Sequence, residues 1–272
     1  MNFKFTSIAE SHKSKVDYRI MINRLHLFEF GDQRWLPSIF KEALTDILQF
    51  QVQEIYQPVA PKLATLIKQT NKNQITDLCS GASGPWETLI QQLQNEGIYP
   101  KVLLTDKFPN PKYIQQFNHP NIAYLEHPMD IFEIQPSEDS IYTIFTAFHH
   151  FNPKQAVEIL NTLVNTQQPI VIFEFTQRRW QNIIGMLLSP ILIFLTIPRL
   201  PLQRWQYYLF TYLFPIIPLI YIWDGMVSHC RTYTTMELKE MATHLKSNTY
   251  NWEIGVLKHQ TYPYTITYLI GY

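Results

Sequence analysis

The 272-residue chain carries 22 basic and 22 acidic side chains, is 46% hydrophobic and 14% aromatic, and has 8 glycines and 2 cysteines. Hydrophobicity at zero net charge excludes a disordered chain, the missing basic field argues against a nucleic-acid binder, and Cys79 with Cys230 cannot form a disulfide scaffold or a four-cysteine zinc site. The polar start MNFKFTSIAESHKSK is unlike a signal peptide, so a reducing, cytoplasmic setting is expected.

In chain order, Asp17–Gln69 reads as mostly helical, because apolar positions in WLPSIFKEALTDILQFQVQEIYQPVAPKLATLIKQ recur at three- and four-residue spacing. Pro58 and Pro61 divide it into two helices, and residues 1–70 form a helical cover. Short apolar runs then alternate with helical patterns. ITDLCS, KVLLTD, NIAYLEH, SIYTIFTAF and PIVIFEF read as strands, with PWETLIQQLQNEG, PKYIQQF and PKQAVEILNTLVNTQ as helices. Such alternation predicts an α/β fold whose parallel sheet is built from right-handed crossovers. TTMELKEMATHLKS is a further helix opened by a threonine cap with Glu237. NWEIGVLKH and YTITYLIGY follow with a short gap and predict an antiparallel hairpin at the sheet edge. Residues 71–180 and 224–272 thus form the core.

Between Arg179 and Asp224 only Arg199 and Arg204 are charged, and Trp180–Pro198 and Trp205–Trp223 are each 19 residues without a charge. A helix of that length spans about 28 Å, close to the ~30 Å of bilayer hydrocarbon. Pro190, Pro215 and Pro218 interrupt both runs, while Trp180, Trp205 and Trp223 stand at run ends, where amphipathic rings favour a membrane interface. Three readings of residues 181–223 stay open: a re-entrant or interfacial hairpin, a buried helical cap over an apolar pocket, and a two-pass span.

Gly81 and Gly84 fall in ITDLCSGASGPW, where a strand ends and a helix opens with Pro85 in its first turn. Glycine there lets backbone N–H groups approach a ligand. Asp106 ends the next strand, 22 residues past Gly84, where a carboxylate can accept ribose hydroxyls; Asp130 ends the third strand region, and Asp77 lies inside the first. Three acids around one glycine turn indicate a nucleoside ligand. No nicotinamide fingerprint, P-loop or hydrolase elbow is present.

His149 and His150 read as the close of the fourth strand, where alternation turns them to opposite faces and leaves one facing the pocket as a base. The same pair can instead shape the strand end by hydrogen bonding. No ligand spacing supports a metal site at His127, His149 and His150. Asp224, Arg231 and Tyr233 either anchor the apolar stretch by a salt bridge or recognise a polar headgroup. Glu29, Asp32 and Trp35 either close the cofactor site or cap a helix.

DLCSGASGP, from Asp77, resembles motif I of the class I S-adenosylmethionine-dependent methyltransferases. Asp106 in LLTDKFPN is similar to that family's ribose-binding acid and Asp130 to its adenine-side acid. SIYTIFTAFHHFNP and PIVIFEF resemble its fourth and fifth strands, and the C-terminal pair its sixth and antiparallel seventh. FEFGDQRWLP, FHHFNP and WDGMVSHCRTYTTMEL resemble a bacterial branch that carries a proline-rich apolar insert. Cys79 replaces the motif's first glycine and Ser83 its last, with Gly84 one place on. The resemblance covers residues 70–180 and 224–272 and implies a Rossmann-like seven-stranded mixed sheet. It implies S-adenosyl-L-methionine as cofactor, held by Asp77, Cys79, Gly81, Ser83, Gly84, Asp106 and Asp130. It further implies methyl transfer to a small molecule, with His149 or His150 as the candidate base. The apolar insert beside the acceptor site makes that acceptor lipophilic and adds the inner membrane surface as a partner, with no nucleic acid. The alternative is a non-catalytic membrane-associated protein that retains the fold.

Overall fold

β1 (Gln74–Leu78), β2 (Lys101–Thr105), β3 (Ile122–Tyr124), β4 (Ser140–Phe145), β5 (Ile170–Glu174), β6 (Trp252–Lys258) and β7 (Thr265–Gly271) make one sheet in the order β3-β2-β1-β4-β5-β7-β6. The first five pair in parallel, and β7 runs antiparallel to both neighbours. The computed structural model describes residues 23–116, 119–201, 204–245, 249–262 and 264–272. The expected hairpin forms, but the antiparallel strand is not the edge: β7 lies between β5 and β6, and β6 ends the sheet. Burial explains the exchange, because β7 is buried along nearly its whole length whereas β6 is half exposed.

The helices are α1 (Ser38–Ile55), α2 (Ala60–Thr70), α3 (Trp86–Asn95), α4 (Pro111–Gln116), α5 (Pro153–Asn165), α6 (Trp180–Gly185), α7 (Ser189–Thr196), α8 (Trp205–Tyr208), α9 (Ile216–Arg231) and α10 (Thr235–His244). Period-two alternation sends Ile141, Phe145, Val171 and Phe173 to one face of the sheet, where they meet α2 and α3. Tyr142, Ile144, Ile170 and Ile172 take the other face, under α5 and α10. Asn152 and Thr234 start α5 and α10 with reciprocal capping boxes, the second made with Glu237 as its sequence predicts.

The N-terminal expectation needs correction. Residues 23–37 are irregular, not helical, and the predicted helix positions Asp17–Ile22 lie outside the described residues, as do Lys246 and Ser247 at the end of the last predicted helix. Three amide donors of this segment go to distant partners, while Gln33 and Leu36 N–H close only isolated turns on Phe30 and Gln33. Leu25 N–H donates to Cys230 O at 3.1 Å, and Phe30 and Gly31 N–H donate to the Asp224 carboxylate at 2.6 and 2.8 Å. A backbone whose donors are spent on tertiary acceptors cannot also close helical turns.

The apolar stretch lies against α1. Ile193, Ile197, Tyr207 and Ile217 bury with Ala43 and Ile47 of α1. Asp46, between those two, accepts from Lys112 Nζ at 2.8 and 2.9 Å and from the Tyr113 and Tyr207 hydroxyls at 2.8 Å each. This junction ties α1, α4 and α8 together, and its ion pair is largely buried. Asp46→Ala is therefore expected to destabilise the fold by about 1–3 kcal/mol, because it strands a half-buried ammonium and two phenols. Urea unfolding with an unchanged midpoint would contradict that role.

Candidate active site

The parallel strands β1, β2, β4 and β5 point their carboxyl ends to one side, and the strand order reverses between β1 and β4, the place where open α/β sheets bind ligands. After β1 the chain turns through Cys79–Pro85 into α3. Four residues of this turn take left-handed backbone: Cys79 at φ 58°, Gly81 at 55°, Ser83 at 107° and Gly84 at 53°. Cys79 and Ser83 thus hold the glycine-type conformation without being glycine, at a cost of about 1–2 kcal/mol each. Side chains of α1 hold the turn in place. Gln49 Nε2 donates to Ser83 Oγ at 2.7 Å, and Gln53 Nε2 donates to Gly84 O at 2.9 Å while its Oε1 accepts from Thr88 N–H at 3.1 Å.

The acids converge on this turn. Asp106, just past β2, accepts from Gly81 N–H at 2.8 Å and from Phe108 N–H at 2.7 Å. Each carboxylate oxygen retains a second lone pair for a ligand hydroxyl. Asp130 lies beyond β3, caps the short turn Ile131–Glu133 through Phe132 N–H and pairs with Lys107 Nζ at 2.6 Å. The hydrogen bond from Lys107 holds its carboxyl below the usual range. Asp77 is buried, with Oδ1 accepting from Thr143 Oγ1 at 2.5 Å and Oδ2 lacking a partner. Burial pushes this carboxyl up to about 7, with Thr143, Ser80 and Trp86 opposing the rise and the nearby Asp106 adding to it. Burial also pushes the Cys79 thiol up, with Asp106, Asp77 and Asp130 acting in the same direction and Lys107 opposing. All three acids therefore surround Cys79, and a Cβ on Gly84 would stand 3.8 Å from the free Asp77 oxygen. The field is negative and suits a cationic ligand with vicinal hydroxyls.

His149 and His150 do not end a strand, so strand alternation does not divide them between two faces. β4 stops at Phe145, Thr146 takes φ 48°, and Phe148–His150 form a single 3-10 turn. A β-branched residue with that φ is an outlier of the kind found at functional sites. Both imidazoles then lie side by side, 4.4 Å between ring centroids, and both face Glu29. His149 is 1% exposed; its Nδ1 lies 2.9 Å from Glu174 Oε2 at the end of β5, and its N–H donates to Glu174 Oε1 at 3.1 Å. Burial raises the Glu174 carboxyl, but the charge and hydrogen bonds of His149 outweigh it, and the group stays below its ordinary value. Glu174 orients the ring through Nδ1, and Nε2, 3.9 Å from Glu29 Oε1, makes no hydrogen bond. His150 differs: burial pulls it down, yet the hydrogen bond to Asp32 and the charges of Glu29 and Asp32 hold it above the usual imidazole range.

Glu29, His149 and His150 bring ligand atoms within 4.8 Å of one another, a grouping that the spacing of the three histidines did not suggest. Arg231 already supplies a cation there, with NH1 at 3.0 Å from Glu29 Oε1, 3.4 Å from Asp32 Oδ2 and 3.2 Å from His150 Nδ1. Arg24 completes the clamp. It donates to the carbonyls of Arg231, His149 and Phe151 and stacks over Tyr233 at 4.3 Å. Asp224 receives the Phe30 and Gly31 amides, so Asp224, Arg231 and Tyr233 all engage the N-terminal segment or its partners. Trp35 stands 65% exposed beside Phe30.

Sequence reasoning missed Glu174, Gln49, Gln53, Tyr56 and Thr146. Tyr56 is fully buried, donates to Phe173 O at 3.1 Å and meets the Thr146 hydroxyl, so it braces the ends of β4 and β5. The available signal was Gln49, Gln53 and Tyr56 at i, i+4 and i+7, a polar stripe on a helix face otherwise turned to the core. A groove of about 510 Å³ beside the β6–β7 turn contains none of these residues.

Sheet order, antiparallel last strand and glycine turn together define the class I methyltransferase fold. Solved structures agree. The plantazolicin methyltransferase BpumL in complex with SAH superposes with a TM-score of 0.50 at 14% identity, over 86% of this chain and 87% of its own. BpumL with a triazolic desmethylPZN analog and SAH gives 0.50 and 14%, over 86% and 98%. At this identity the likeness is one of fold. No protein-family model matches the chain, and no curated protein does.

Proposed function

We propose that the chain transfers the methyl group of S-adenosyl-L-methionine to a small lipophilic acceptor. The observation that carries this reading is the acidic glycine turn with Asp77 buried beneath it and Asp106 and Asp130 beside it, because a sulfonium cofactor brings positive charge to a negative site. Asp106 would take the ribose hydroxyls and Asp130 the adenine side. The left-handed backbone of Cys79, Gly81, Ser83 and Gly84 would carry the turn past the methionine moiety. When bound, the cofactor supplies an electrophilic methyl group.

The chain's own part is positioning and proton removal. His149 Nε2, oriented through Nδ1 by Glu174, accepts the proton of an acceptor O–H or N–H. His150, whose imidazole Asp32 and Glu29 hold above the usual range, anchors the N-terminal segment over the site and is assigned no role as the base. An acceptor of lipophilic character is supported by the exposed apolar side of residues 181–223 and by Phe28 and Trp35 on the neighbouring segment. The working place that follows is the cytoplasmic face of a membrane. A labelled-methyl screen against a lipid extract and a soluble metabolite extract tests this. Label in the lipid fraction is expected. Label only in polar metabolites would remove the lipophilic acceptor, and bound cofactor without any transfer would favour a binding protein.

A further inference from the structure

We infer that residues 181–223 are a monotopic membrane anchor, seated in one leaflet and unable to cross it; the inference rests on the reading of a membrane as the partner surface. By length and composition Trp180–Arg199 could span a bilayer, yet only 22% of its apolar window is buried, unlike a core helix of a globular domain. Its two sides differ. Ile193 and Ile197 pack on α1, whereas Leu188, Ile191, Leu192 and Leu195 face outward and are each more than half exposed. The second limb, Trp205–Leu213 with Ile216–Arg231, bends by 78° and presents Leu213 and Leu219 in the same exposed state. Exposed apolar surface of this extent marks an interaction face.

The charges select the partner. No acid occurs from Trp180 to Trp223, while Arg199 stands in the connection and Arg179 precedes the stretch; Arg204 is already paired with Glu42. A second copy docked on this face would bring arginine to arginine. An anionic lipid surface complements it, and exposed Trp180, Trp205 and Tyr212 suit the headgroup boundary.

The connection and the second limb are tied to the domain by polar contacts, and the first limb packs Ile193 and Ile197 on α1, which argues against a span. Tyr207 donates to Asp46 at 2.8 Å, Arg204 pairs with Glu42, and Tyr221 donates to Gln51 at 2.6 Å. Further along α9, Asp224 receives the Phe30 and Gly31 amides and Arg231 pairs with Glu29 at 3.0 Å. Crossing would strip these contacts from α1 and draw Glu42 and Asp46 into hydrocarbon. Only the outward stripe enters, to the shallow depth of an interfacial helix. The aromatic group Phe28, Phe30 and Trp223, with ring centroids 5.2–6.2 Å apart, joins this stripe to the segment that carries Glu29 and so connects the lipid face with the histidine cluster.

The test uses the full chain and vesicles of phosphatidylcholine alone or mixed with phosphatidylglycerol. Flotation with the mixed vesicles and weaker flotation with phosphatidylcholine are expected. The double variant Leu188→Glu/Leu192→Glu should lose at least about tenfold in vesicle affinity, and Arg199→Glu should lose the preference for phosphatidylglycerol. Circular dichroism and the thermal midpoint of these variants establish that they fold. Absent flotation, a dimer that ignores vesicles, or equal binding by the double variant would overturn the anchor. Quenching of a fluorophore on Leu192→Cys by a reagent sealed inside the vesicles would overturn the single-leaflet placement. S-adenosylmethionine binding, read separately by calorimetry, tells a failed anchor from a failed methyltransferase reading.

Discussion

His149→Ala is expected to lower the rate of methyl transfer by about 10²–10⁴-fold while cofactor affinity is unchanged, because it removes the proposed proton acceptor and leaves the glycine turn intact. Glu174→Gln tests the orientation separately. The ionised carboxylate accepts from both the N–H and the Nδ1 of His149, and Thr176 Oγ1 adds a third donor at 3.2 Å. An amide at this position has one acceptor oxygen and cannot stabilise an imidazolium. The rate should therefore fall with KM nearly constant, whereas His150→Gln should change the rate less. A purely structural pair would lower the thermal midpoint and leave turnover of the folded fraction unchanged. Full turnover by His149→Ala would remove the histidine from the chemistry.

Asp77→Asn is the second substitution with a large expected effect, a loss of about 10–100-fold in S-adenosylmethionine affinity as a buried charge-assisted contact goes. Its pH dependence is distinctive. Burial, with Asp106 adding to it, raises the folded carboxyl to about 7 from the ordinary 3.8. Above 3.8 the unfolded chain loses this proton first. The group's contribution to stability is therefore fully present in acid and declines as the pH rises toward 7. A cationic ligand reverses the penalty by favouring the carboxylate. Cofactor binding to the unmodified chain should thus release a proton and tighten between about pH 5 and pH 8, and Asp77→Asn should flatten that profile. Calorimetry in buffers of different ionisation enthalpy measures the proton directly; equal heats in all of them would contradict the assignment.

Strands and crossovers were legible in the sequence because a buried parallel sheet demands apolar runs of strand length, and ITDLCS, KVLLTD and PIVIFEF have no other use. The exchange of β6 and β7 was harder to read, since adjacency in sequence predicts a hairpin but not which partner meets β5. The glycine turn was legible through Gly81 and Gly84. The left-handed backbone at Cys79 and Ser83 was not legible, because their residue types give no such signal; the resemblance marked them only as standing where the motif has glycine. The histidine cluster was half legible. HH marked the place, but strand alternation failed once Thr146 turned the chain. The partners came from Glu29, Glu174 and Arg231, which are distant in sequence and are brought together by the β4–β5 pairing and α9. Residues 23–37 looked like part of a helix because local periodicity cannot reveal that their donors go to Asp224 and Cys230.

Binding of S-adenosylmethionine at the acidic glycine turn underlies the His149, Glu174 and Asp77 substitutions above. Titration calorimetry of the unmodified chain and of Asp106→Ala tests it most directly. One-to-one binding is expected, weakened at least about tenfold in the variant as both the ribose acceptor and the Gly81 amide clamp are lost. No binding by the unmodified chain, or equal binding by the variant, would contradict it.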